Sequence, residues 1–157
     1  MRRACFLRSI SMTYFADLSP YTYHARSQRE NTWNVGWLDA AHPFSRGEVS
    51  APFLSQLWAF CGAPVVQMRG FHTCELCNAD GLEMLVVQRD GESRRLGAAE
   101  IRVFAPDGRV YAAPDLIYHY VAVHGYCPPD AFVTAVLEGP QPGTDTYERL
   151  VAESGLG

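Results

Sequence analysis

The 157-residue sequence contains no lysine; all 13 of its basic residues are arginine. Arginine and lysine differ mainly at bidentate or stacked sites, so the bias assigns no function and fits the codon usage of a GC-rich genome. No uninterrupted apolar run approaches the ~20 residues of a membrane span. The sequence also lacks a glycine-rich phosphate loop, a Gly-x-Ser-x-Gly elbow and a His-Glu-x-x-His pair, the signatures of nucleotide binding, serine hydrolysis and metalloproteolysis. Charge of one sign is scarce as well. A net charge of −4 implies no general affinity for nucleic acid or an anionic membrane. No internal repeat is present.

What remains describes an ordinary globular chain, 48% hydrophobic and 19% charged, of a length expected for one domain. Its five cysteines are an odd number in a chain large enough to fold without disulfides. Cys5, Cys61 and Cys127 are scattered among apolar or loop residues, where free thiols normally sit. A reducing cytoplasm is therefore the expected compartment, and there paired cysteines favour metal over a disulfide. Residues 1–11 are basic but fail as a secretory signal, because Arg8 breaks the apolar run and no small-residue cleavage site follows. They read as a disordered extension or a misassigned start ahead of Met12.

Along the chain, residues 21–24 and 32–38 are aromatic and β-branched, and the polar run 25–31 between them predicts a hairpin. Inward packing of Tyr21, Tyr23, Trp33 and Trp37 is expected over an exposed recognition surface. Ser50 opens the clearest helix, with Pro52 in its first turn and Gly62 as its stop. Residues 65–68 should form a strand. Residues 82–88, apolar at nearly every position, predict a strand covered on both faces and turned at 89–92. Residues 99–104 and 110–112 read as a second hairpin about Pro106-Asp107-Gly108. A helix is expected from Asp115 through Val123, ended by Gly125, and another over residues 131–137. The expected architecture is a single α+β domain over residues 12–138, antiparallel hairpins packed with about three helices. Residues 139–157 would be a flexible tail holding at most a marginal helical turn or two.

The chemistry concentrates in residues 70–81, Gly-Phe-His-Thr-Cys-Glu-Leu-Cys-Asn-Ala-Asp-Gly. Zinc prefers thiolates and imidazoles in a tetrahedron, and Cys74 and Cys77 can reach one ion if the chain between them turns tightly. Asn78 to Gly81 would supply the left-handed residues of such a zinc knuckle. The second pair of ligands would be His119 and His124. They lie about 140° apart on an ideal helix, so both can bind only if the last turn, next to Gly125, distorts. With 41 residues between Cys77 and His119, the site would tie a hairpin to a helix rather than form a compact finger. His72 competes for a place, since in a strand it would share a face with Cys74.

A thioredoxin-like reading of the Cys pair calls for a helix starting at the first cysteine, whereas a Gly-terminated turn and a strand follow here. The zinc-deaminase pattern is absent, because residue 73 is Thr and Glu75 follows the cysteine. Glu75 and Glu100 read as solvated carboxylates, and Cys61 as a core thiol.

Several motifs recur together: Tyr21-x-Tyr23, Asn34-Val35-Gly36-Trp37-Leu38, His42-Pro43-Phe44, Gly70-Phe71-His72-x-Cys74-x-x-Cys77, Glu100-Ile101-Arg102-Val103, Tyr111-Ala112-Ala113-Pro114, His119-Tyr120-Val121-x-x-His124-x-Tyr126 and Pro128-Pro129. The set resembles an uncharacterised family of small bacterial proteins of the actinobacterial type, over about residues 12–137. The resemblance implies a bacterial, intracellular protein and groups His72, Cys74, Cys77, His119 and His124 without assigning any of them a role. Cys127 lies outside the pattern.

The expected function is a structural zinc domain that binds another protein, as an immunity or accessory factor, with no nucleic acid or membrane partner. The oligomeric state is not legible. The alternatives are a zinc-dependent hydrolase using His72, Glu75 or His42 beside the metal, and a redox protein with a reversible Cys74–Cys77 disulfide.

Overall fold

The computed structural model describes residues 14–22, 31–68, 70–77 and 84–156. Residues 1–11, the polar run 25–30 and the turn 78–81 lie outside the described residues. The elements are β1 (Thr32–Asn34), α1 (Ala51–Cys61), β2 (Val66–Gln67), β3 (Leu85–Arg89), β4 (Glu92–Leu96), β5 (Ala99–Phe104), β6 (Val110–Pro114), α2 (Ile117–His124), α3 (Asp130–Glu138) and α4 (Asp145–Glu153). The fold is α+β: a four-stranded sheet in the order β1-β6-β5-β2, a separate β3–β4 hairpin, and four helices.

Local chemistry places α1 where the sequence predicts it. The Ser50 hydroxyl accepts a hydrogen bond from the Phe53 amide at 3.2 Å, and Gly62 ends the helix. Phe53, Leu57, Trp58, Phe60 and Cys61 are buried. The C-terminal carbonyls of α1 have no basic residue in their own last turn; Arg94 of β4 serves instead. It donates to the Trp58 carbonyl and lies 4.1 Å over the Trp58 ring.

The expected N-terminal hairpin is formed in part, with Tyr23 and His24 of its first arm outside the described residues. Residues 18–21 lie antiparallel to β1, the Tyr21 amide donating to the Thr32 carbonyl and the Asn34 amide to the Ser19 carbonyl, while β1 also runs parallel to β6, Thr32 opposite Val110. The added pairing with a distant strand accompanies burial of Val35 and Trp37, whose indole N–H donates to the Ala112 carbonyl at 3.0 Å. Inward packing holds for Tyr21 and Trp37; Trp33 is half-buried.

Residues 85–89 do not form a strand covered on both faces. They alternate between half-buried and exposed, paired to β4, a strand that periodicity did not reveal. At β5 the sequence alternates polar and apolar residues, yet all six are buried. Arg102 donates to Glu100 at 2.9 Å, Tyr21 hydroxyl donates to the same carboxylate at 2.8 Å, and the Arg102 guanidinium lies 4.6 Å from the Tyr21 ring centroid. A buried charge is tolerable when paired and hydrogen-bonded, so Glu100 is not the solvated carboxylate its sequence context implies.

The C-terminal segment carries more order than a marginal turn or two. Thr144 caps α4 by accepting from the Tyr147 amide at 3.3 Å, and Tyr147 is fully buried between Phe60 and Phe104. Its hydroxyl donates to the Arg102 carbonyl at 3.2 Å. Tyr147 anchors the helix, with Leu150 and Val151 half-buried against the same core.

Candidate metal centre

Two segments far apart in sequence supply the site. The first is the loop over residues 70–77, an extension of the chain beyond β2. Its approach is set by backbone contacts: the Met68 amide donates to Ala98, and the His72 amide donates to the Gly97 carbonyl at 2.7 Å. Gly97 has φ +119, and a Cβ there would stand 2.2 Å from the His72 carbonyl oxygen. Only glycine permits so close a crossing. The Gly97 amide in turn donates to Asp115 Oδ1 at 2.8 Å, just ahead of α2. Desolvation pushes the Asp115 carboxyl up to about 6, against the opposing pull of the amides around it. Sequence reading took Asp115 as the start of α2; the helix begins at Ile117 and Asp115 spends its side chain on Gly97 instead.

The second segment is α2 itself, with His119 near its middle and His124 as its last residue. Gly125 is left-handed at φ 68, and its amide reaches back five residues to the Tyr120 carbonyl rather than four. This wider, π-like closing turn is the distortion that the spacing of the two histidines requires. Residues 45–47 strap the same end: Gly47 donates to the Gly125 carbonyl, Cys127 to the Ser45 carbonyl, and Arg46 to the His124 carbonyl at 3.3 Å.

Cys74, Cys77, His119 and His124 converge, each offering a ligand atom within 4.8 Å of every other. Cys77 Sγ lies 3.2 Å from His119 Nε2 and 3.3 Å from His124 Nε2; Cys74 Sγ lies 3.4 Å from His124 Nε2; the two Nε2 atoms are 3.2 Å apart. Donors at ~2.3 Å (sulfur) and ~2.0 Å (nitrogen) from a tetrahedral ion stand about 3.3–3.8 Å from one another, close to these separations. Hydrogen bonding alone explains the triangle of Cys77 and the two imidazoles poorly, because three mutual contacts compete for protons that each serve one line. One cation serves all of them. These residues could hold a metal ion, and two thiolates with two neutral imidazoles would balance a divalent charge.

The protonation states follow the same logic. Burial pushes the Cys74 thiol up to about 11, so without a cation the thiol stays protonated. Burial, then repulsion from His124, lowers His119 to about 4; burial, then Arg46, lowers His124. Neutral imidazole is the form that ligates, and a cation would favour the thiolate.

The other nominated residues sit elsewhere. His72 is buried but is not one of the four donors, its ring Nδ1 having no hydrogen-bond partner. His42 is exposed, bound to Asp39 at 2.8 Å and stacked under Tyr14. Cys61 is a buried α1 thiol donating to the Asp115 carbonyl. Sequence reasoning missed the Asp115–Gly97–His72 relay and the Arg46 strap, for which only Gly97 left any signal.

Residues 13–137 match a family described as a domain of unknown function (DUF7919). The chain belongs to that family. DUF7919 thus spans every strand of the described residues, α1, α2, α3 up to its last residue and all four converging donors, while α4 lies beyond the matched residues. No curated protein and no solved structure gives a significant match to the chain. Among the described residues no helix is long and apolar enough to cross a membrane.

Proposed function

We propose that the chain is a zinc-stabilised protein-interaction domain in which Cys74, Cys77, His119 and His124 hold one structural Zn²⁺. The observation that carries this reading is the approach of two sulfurs and two imidazole nitrogens to within 4.8 Å of one another, four of the six pairs at 3.2–3.4 Å. Mixed thiolate and imidazole donors in a tetrahedron suit zinc better than calcium, magnesium or manganese, which select oxygen. Four protein donors fill that tetrahedron and leave no position for a reacting water, so the centre serves folding rather than hydrolysis. Its work is to fasten a loop with little secondary structure to the end of α2. Binding energy at such a site is folding energy.

A protein partner, in the role of an immunity or accessory factor, fits the surroundings of the centre. Phe71 lies in the ligand loop three residues before Cys74, and Val123 adjoins His124; they are 38% and 63% exposed. Apolar side chains held out by a rigid metal-fixed frame are what a protein surface recognises. The net charge of −4 gives nucleic acid no purchase.

Metal content by mass spectrometry of the purified chain is the direct test. One zinc per chain is expected, with Cys74→Ser losing it and a chelator lowering the unfolding temperature of the native chain only. A zinc-free protein whose stability is untouched by Cys74→Ser would sink the proposal.

A further inference from the structure

The β3–β4 hairpin forms a two-stranded sheet of its own, separate from the four-stranded sheet. Asp90 (φ 51) and Gly91 (φ 77) make a two-residue turn of the I′ kind, which makes Arg89 and Glu92 a hydrogen-bonded pair. From there the register alternates. Leu85, Val87 and Arg89 bond inward to β4, so the N–H and C=O groups of Val86 and Gln88 point away from it. Among the described residues no strand pairs with that edge. Val86 is 54% exposed.

This edge is presented on a firm support. Arg89 donates to the Tyr118 hydroxyl at 2.9 Å, Arg94 holds the end of α1, and Leu96 is fully buried. It also lacks the guards that its own residues could supply. The outward positions of β3 carry no charge, no proline and no bulge, the devices that keep sheet edges from pairing. The two edges of the hairpin differ in this respect, since β4 places Arg95 at an outward position. A second β4 beside it would bring like charges together, whereas a second β3 meets no repulsion.

We infer that the β3 edge is a self-association surface, at which β3 of a second copy pairs antiparallel about a twofold axis at Val87. That register sets Val86 opposite Gln88 of the second copy and Gln88 opposite Val86 of the second copy. It makes four backbone hydrogen bonds from groups that no strand among the described residues pairs, and turns two marginal ribbons into one four-stranded sheet. An unrelated peptide would gain the same backbone bonds, but a self-pair also matches uncharged residues with uncharged residues at every outward position. The contact is small, so the dimer is weak and forms with rising concentration.

Sedimentation velocity on the full-length chain over a dilution series tests this. The mass is expected to rise toward twice that of the chain. Val86→Pro removes an outward amide and leaves the ladder to β4 intact; Val86→Lys adds a charge to the edge. Each is expected to raise the dimerisation midpoint about tenfold or more, with thermal stability unchanged for Val86→Lys. A native chain that stays monomeric throughout overturns the inference, as does association that both variants leave unaltered. A monomer that instead binds an extended peptide at Val86 overturns it in favour of that peptide.

Discussion

Gly97→Ala offers the sharpest probe of how the cysteine loop is held. The new methyl would stand 2.2 Å from the His72 carbonyl oxygen, more than an ångström inside the 3.4 Å at which ordinary contact begins. Backbone lies on both sides of the clash, so no side-chain rotation relieves it. The residue would also sit at φ +119, where an L side chain is strained by about 1–3 kcal/mol. Loss of the 2.7 Å bond from the His72 amide adds about 1 kcal/mol. Together the variant should lose about 2–4 kcal/mol, read as a fall in the urea midpoint at unchanged slope. Because the shift moves the chain two residues before Cys74, metal affinity should drop about 10–100-fold, the usual effect of disturbing what supports a ligand. Gly91→Ala is the control: its φ is +77 but nothing lies within 4 Å, so it feels backbone strain alone and leaves metal binding unchanged. If Gly97→Ala matches Gly91→Ala in both stability and metal affinity, the relay does not position the site.

Three further outcomes are expected. The Asp115 carboxyl is raised from 3.8 to about 6, so the stability it contributes is present below pH 4 and lost as pH rises through 6. Asp115→Asn keeps an oxygen for the Gly97 amide, and in urea melts with chelator present the native chain should lose about 2–2.5 kcal/mol relative to it between pH 4 and pH 7. His72→Ala should leave one zinc bound per chain by mass spectrometry, since His72 is not among the four converging donors; loss of the metal would place His72 in the site. Tyr147→Ala empties a fully buried position between Phe60 and Phe104 and should cost about 3–5 kcal/mol in thermal or urea unfolding, whereas a flexible tail would show no change.

How far the sequence carries depends on whether a feature is made by neighbours or by distant partners. The cap at Ser50, the stops at Gly62 and Gly125 and the β5–β6 turn all depend on chemistry within a few residues, and each stands where its residues predict. The distortion at the end of α2 was legible too, because two imidazoles five residues apart cannot share an ion on an ideal helix. Burial patterns failed where a partner came from elsewhere. Glu100 and Arg102 look solvated until Tyr21 and Tyr147 cover them, and β3 looks doubly buried until it turns out to lie in a ribbon of its own.

By itself the sequence determined which atoms are available to grip a metal: two thiols two residues apart and two imidazoles on one short helix. Only the tertiary structure decided that Cys74, Cys77, His119 and His124 converge while His72 turns its backbone to Gly97. The reason is physical. Ligand chemistry is a property of side chains, but convergence across 41 residues is set by backbone crossings such as Gly97 over His72, whose only trace in the sequence is the absence of a side chain.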